Sequence, residues 1–316
     1  MLIRLICQIK YNNGLECKCI NICWSGKMKQ CIFCMNSKED SEFNREHIIL
    51  EALGGKGDED ICFNVCTSCN SSLGTRVDAS LLNQSVTKYM RYILGIKGKT
   101  GIPNPFKGIE LTYADTPFIG ELKVNKEGEI SGFRAKHKIY KSKGNTIIVG
   151  PRKGFPAYVN SQLKQMGFSQ LAEEEIWKGR IDLGETKVPH IECINIPEEM
   201  KEQYLIFAFP TMLKMAYEYC FVTLGENYLS DSLAIQIRDF LMKFDYKKDV
   251  EYFSPTEASL EWRDGKERIV SLKIYRNDSK VFVTIVLWGM VIATICMSES
   301  GEKYKKDLNS ILTIVI

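Results

Sequence analysis

The sequence predicts an α+β protein in two parts, a small cysteine-bearing module near the start and a larger mixed α+β domain after it. Three observations predict this. Two Cys-x-x-Cys pairs, Cys31/Cys34 and Cys66/Cys69, bracket a short polar segment. Two helical runs, Thr211–Leu224 and Ser230–Phe244, lie far downstream, and from Ala258 the chain turns to β-prone runs divided by turn residues.

Composition narrows the class. An apolar share of 45% supports a true core. A net charge of +3 is only mildly basic, so any contact with a polyanion must come from a local patch. Nine of the twelve cysteines fall before residue 70, a density that in a secreted chain would read as a disulfide framework. With no secretory signal and with pairs at metal spacing, a reducing cytoplasm is the expected setting.

Residues 1–27 hold four untidily spaced cysteines and no clear period. Met28 stands just ahead of the first Cys-x-x-Cys, and Trp24–Lys27 can be encoded with a GGAG run before its codon. The expectation is a non-functional leader with the working start at Met28.

The stretch from Cys31 to Gly74 organises the rest. Four thiolates in two such pairs make the ligand set of a closed tetrahedral zinc site, so Cys31, Cys34, Cys66 and Cys69 are expected to hold structural Zn²⁺. Between them, Glu46-His47-Ile48-Ile49 reads as a strand start, Gly54-Gly55 as a tight turn and Cys66–Asn70 as a helix entry. His47 is one of only three histidines and sits inside the bracketed segment, where an ordinary imidazole pKa suits a base near neutral pH. A carboxylate and an amide oxygen suit Mg²⁺ or Mn²⁺, whereas zinc prefers thiolates, so one module can hold two different metals.

The order CxxC…EHxI…LGG…CxxCN…LG, from Cys31 to about residue 78, resembles the four-cysteine branch of the HNH endonuclease family. The resemblance implies a zinc-stabilised, treble-clef-like ββα-metal module that hydrolyses phosphodiester bonds of DNA, with RNA left open. It implies His47 as general base, Glu46 and Asn70 as ligands of a catalytic Mg²⁺ or Mn²⁺, and Asn64 at the middle position that orients the base, with Asp60 as the alternative. Leu50 stands where many members have Pro, and Asn70 where many have His. Arg45 is expected to contact phosphate. The family tends to place this module beside target-choosing domains in restriction or phage defence. The competing reading is a non-catalytic zinc module that scaffolds a nucleic-acid-binding or signal-binding protein.

Arg76–Leu94 carries Val77, Leu81, Leu82, Val86, Met90 and Ile93 at three- and four-residue steps, a core-facing helical stripe. Gly95 and the GKTGIPNP run then mark a boundary near residue 97, dividing a module at 28–96 from a domain at 97–316. Strands are expected at Leu111–Tyr113, Phe118–Val124, Glu129–Tyr140 and Thr146–Val149. Alternation would put Arg134, Lys136 and Lys138 on one face, either a phosphate-tracking surface or simply the solvated side of a sheet.

Short helices near Val159–Met166 and Ser169–Trp177 bring no motif, and His190 has no companion ligands. In the helical region opened by Pro197, Met212, Met215, Tyr219 and Val222 read as core, and Lys214/Glu218 as a surface i,i+4 pair. The final strands are Ala258–Trp262, Arg268–Tyr275, Lys280–Trp288 and Val291–Met297. Val281–Met297 lacks charge, but its β-branched content and Gly289 favour a buried hairpin over a membrane span.

Overall fold

The computed structural model describes residues 28–98, 100–107, 111–112, 119–142, 145–178, 198–247, 258–263 and 267–316. The expected leader, Pro197 and His190 lie outside these residues.

The first module is a run of small elements. Strands β1 (Met28–Gln30) and β2 (Ser37–Glu39) pair antiparallel around the first Cys-x-x-Cys. Strands β3 (Glu46–His47) and β4 (Ile61–Cys62) form a second hairpin, joined through the Gly54-Gly55 turn. Gly54 sits at φ 113°, a backbone region that favours glycine. A Cβ on Gly55 would come within 1.7 Å of the Ile49 carbonyl oxygen, so only glycine lets the two segments close. Helix α1 (Thr67–Leu73) starts directly from Cys66 and passes through a π-helical turn at Gly74–Asp78 into α2 (Ala79–Leu82), and α3 (Ser85–Ile93) follows. Val77, Leu81, Val86 and Met90 of the expected stripe are buried, while Ile93 is exposed.

Next come a three-stranded sheet, β5 (Leu111–Thr112), β6 (Ile119–Val124) and β7 (Ile130–Lys136), and a separate hairpin, β8 (Lys138–Ser142) with β9 (Asn145–Val149). The stretch expected as one strand, Glu129–Tyr140, is therefore broken at His137. Arg134 and Lys136 belong to one sheet and Lys138 to another, so the three do not share a strand face. Helices α4 (Phe155–Gln165) and α5 (Glu173–Lys178) complete this part.

Helix α6 (Glu198–Leu224) is the axis of the molecule. Its apolar residues run all round, the pattern of a helix packed on every side. Lys201–Leu224 is long and apolar enough to cross a membrane by length and composition, yet most of it is buried within the protein. One side meets α2, the π turn and β4. The other meets α7 (Ser232–Lys243) and a five-stranded antiparallel sheet. That sheet orders β10 (Ala258–Trp262), β13 (Val291–Ser298), β12 (Lys280–Leu287), β11 (Ile269–Asn277) and β14 (Asn309–Val315). The uncharged Val281–Met297 stretch is the β12–β13 hairpin, turning through Trp288 and Gly289 at φ 55° and 69°.

The boundary expected at residue 97 does not separate two cores. One continuous core runs from Cys31 to Ile96 and resumes from Tyr204 to Met297, with none of its members between among the described residues. Polar ties reinforce it. Tyr217 donates to the Ile32 carbonyl at 2.9 Å, and Ser80 to the Phe207 carbonyl at 2.7 Å. Arg76 donates to the Met242 and Phe244 carbonyls at 2.9 and 2.7 Å, capping the C-terminal end of α7 where a cation is favourable. The sheets and helices of 111–178 are thus a satellite on a body that the first module and the C-terminal part build together.

Candidate functional site

The four cysteines converge. The sulfurs of Cys31, Cys34, Cys66 and Cys69 all lie within 4.8 Å of one another, and those of Cys34 and Cys66 are 3.9 Å apart. Zn–S bonds of about 2.3 Å in a tetrahedron require S···S separations of about 3.8 Å, so this donor set fits a structural zinc. The Cys66 amide points at the Cys31 sulfur at 3.4 Å. A hydrogen bond from Cys69, followed by backbone amides, lowers the Cys31 thiol against the opposing effect of burial, and the same bond raises the Cys69 thiol, so one proton is shared between the two sulfurs.

Strand β3 places Glu46 and His47 on opposite faces, because successive side chains in a strand alternate. His47 faces outward and keeps 24% of its side chain exposed. Its Nδ1 lies 3.1 Å from Asp60 Oδ1, just before β4, where the Ile48 amide also bonds the Asp60 carbonyl at 2.7 Å. Asp60 is buried, and its second oxygen has no hydrogen-bond partner among the described residues. Burial raises the Asp60 carboxyl above the usual range, partly offset by His47. Asp60, not Asn64, is therefore the residue that hydrogen-bonds His47. Asn64 instead donates from Nδ2 to the Gln30 carbonyl at 3.5 Å.

Glu46 faces inward, so the structure does not bring the expected metal-binding carboxylate to His47. Its Oε1 takes a hydrogen bond from Lys214 Nζ at 2.6 Å. The same ammonium reaches Asp78 Oδ2 at 2.9 Å and lies 3.8 Å from Glu218 Oε1. Lys214 and Glu218 are fully buried, which overturns their reading as a surface pair. Burial is the largest influence on all three of Lys214, Asp78 and Glu218. For Lys214 the three carboxylates outweigh it and hold the ammonium well above the ordinary lysine range. Asp78 is raised, and Glu218 is raised well above the usual carboxyl range.

The remaining expected site residues lie on the surface. Asn70, on α1, donates from Nδ2 to Asn44 Oδ1 at 3.3 Å. Arg45 is exposed and paired with Asp58. Arg134 is exposed, Lys136 pairs with Glu121 at 2.7 Å, and Lys138 lies over the Tyr140 ring at 5.5 Å. Beside Asp60, a half-open cavity of about 410 Å³ is lined by the Gly54–Gly57 turn, Leu94–Ile96 and Leu312–Ile316.

Two signals could have exposed the buried cluster. Asp78 falls next to Val77 on the core-facing side of its helix. Lys214 and Glu218 are the only charges in a run, TMLKMAYEYC, that is otherwise apolar or aromatic nearly all round.

No curated protein and no solved structure matches this chain. Residues 31–86, which hold the sulfur cluster, the β3–β4 hairpin and α1, match the family model described as HNH endonuclease, the family whose pattern the sequence resembles.

Proposed function

We propose that the protein is an endonuclease that hydrolyses nucleic-acid phosphodiester bonds, DNA first among them, in a role such as restriction or phage defence. The observation that carries this reading is the His47–Asp60 contact of 3.1 Å, set beside the four-sulfur cluster within the segment that matches the HNH family. With Nδ1 donating to Asp60, Nε2 is the nitrogen that accepts a proton from water as the water oxygen attacks phosphorus and the P–O bond to the leaving strand breaks. Structural zinc fixes the hairpin and helix that carry His47 and Asn70.

The family's dependence on a divalent ion, Mg²⁺ or Mn²⁺, belongs to this reading. The expected pair Glu46 and Asn70 does not fit that ion in this arrangement, because Lys214 holds the carboxylate in the interior. The same observation favours a second reading, a zinc scaffold without catalysis.

One assay separates the two. Plasmid, single-stranded DNA and RNA are incubated with the protein under Mg²⁺, Mn²⁺ and EDTA, beside His47→Ala. Cleavage that needs the divalent ion and vanishes in His47→Ala supports the nuclease. Absence of cleavage on every substrate, with zinc and fold intact, supports the scaffold.

A further inference from the structure

Between Ile130 and Ala172 the chain carries eight Lys and Arg residues and not one Asp or Glu. The whole chain is +3, so the remaining residues sum to −5. Positive charge is thus concentrated in 43 residues of the satellite, away from His47 in sequence and outside the shared core.

The fold gathers these charges. His137, the residue that separates β7 from β8, stacks on Tyr158 at 4.8 Å and meets Phe155 at 5.9 Å. Its Nε2 lies 3.1 Å from the Pro151 carbonyl, and a Cβ on Gly150 would come within 2.2 Å of its ring. The β7–β8 junction therefore rests on the turn from β9 into α4. Lys138, immediately after His137, pairs across the hairpin with Val149, three and four residues before Arg152 and Lys153. Arg152 lies over Trp177 at 5.9 Å, and Trp177 stacks on Phe155 at 5.5 Å. Arg134, Lys141, Arg152 and Lys153 are exposed, and the rings are partly buried. On the neighbouring sheet Glu121 engages Lys136, and Arg134 and Lys107 also act on it, so one acid faces three bases there.

We infer that this surface, centred on Lys138, Arg152 and Lys153 around the His137 clamp, grips single-stranded nucleic acid. Clustered cations track a phosphate backbone, and the partly accessible rings interleaved with them suit unpaired bases. This rests on the nuclease reading only for what happens to the strand once bound.

The test uses the full chain carrying His47→Ala, so that cleavage does not confound binding. Fluorescence anisotropy with labelled 30-nucleotide single strands and with duplex is followed from 50 to 300 mM salt. A second protein adds Lys138→Gln, Arg152→Gln and Lys153→Gln, and its thermal melt checks that these changes leave the fold intact. The expected result is tighter binding of single strand than duplex. The triple variant should bind at least tenfold more weakly, with the slope of log K against log salt falling by about 0.7 for each phosphate that is no longer neutralised. An unchanged slope overturns the inference, as does preference for duplex or equal binding to anionic vesicles. Binding that depends on the patch in a protein that cleaves nothing keeps the inference and removes the nuclease reading. Cleavage with patch-independent binding does the reverse.

Discussion

Replacing Lys214 by Met tests the buried charge cluster most directly. Met keeps the length of the stem and removes the ammonium, leaving Glu46, Asp78 and Glu218 in the interior without a cation. Taking one partner from a buried ion pair costs about 3–5 kcal/mol, because the other charge stays desolvated and unpaired. Total stabilities are about 5–15 kcal/mol, so this is a large share, and at about 1.5 °C per kcal/mol for a chain of this length it converts to a fall in Tm of about 5–8 °C. The pH dependence has a definite sign. Burial raises the Asp78 and Glu218 carboxyls, so the folded state holds their protons more tightly than the unfolded state. Their stabilising contribution is present below the unfolded pKa and is lost as pH rises through the raised one. Without the lysine they rise further. The deficit of Lys214→Met against wild type should therefore be largest near pH 8 and shrink toward pH 5. Lysine's own raised pKa matters only above its unfolded value, outside this range. The assay is thermal unfolding by circular dichroism at pH 5, 6, 7 and 8. A fall below about 2 °C, or a deficit that does not change with pH, would refute the reasoning, since either means that the ammonium does not stabilise the carboxylates. Glu218→Gln supplies the complementary case. It removes a buried carboxylate with neither oxygen hydrogen-bonded among the described residues, and Tm at pH 8 should hold or rise.

The other expectations concern the first module. Metal analysis should find one zinc per chain, and Cys66→Ser should lose it together with the fold of residues 28–96, because structural zinc supplies about 10–16 kcal/mol in small zinc-binding peptides. His47→Ala should reduce cleavage by about 10²–10⁴-fold, the usual contribution of a positioned base, with Tm unchanged. Asp60→Asn should lower kcat without removing zinc. It should also flatten the loss of stability that burial of Asp60 imposes as pH rises above the ordinary carboxyl range, read as the difference in Tm from wild type. Gly55→Ala should lower Tm sharply and displace His47 from Asp60, because the added methyl meets the Ile49 carbonyl and lies 2.8 Å from Asp60 Oδ2. Soluble, fully active Gly55→Ala protein would contradict the close approach at that turn.

What the sequence disclosed and what it concealed follow from the range of the interactions involved. The four-sulfur cluster was legible because two residues of spacing within each pair largely set its geometry. The β12–β13 hairpin was legible because β-branched alternation and a glycine turn are local signals. His47 stood out as the histidine inside the bracketed segment, but its partner did not, since Asn64 and Asp60 are both within reach of a short hairpin. Packing chose the buried Asp60. Lys214 and Glu218 misled for a different reason. An i,i+4 pair of opposite charges looks the same on an exposed face and in an interior, and only contact with Glu46, 168 residues away in sequence, decides between them. The break at His137 was hidden because both flanking segments alternate as strands do, and the bend depends on rings supplied by α4.

The position of α6 bears on how this protein can be taken apart. A fragment ending near residue 96 would present Val77 and Leu81 to water where α6 now covers them, and the remainder would present the matching side of that helix. Neither piece owns its interior, so the two halves made separately should be aggregation-prone alone and should reassociate when mixed. The four-cysteine head is therefore not a cassette: moving it into another protein would mean carrying along a helix encoded more than a hundred residues downstream.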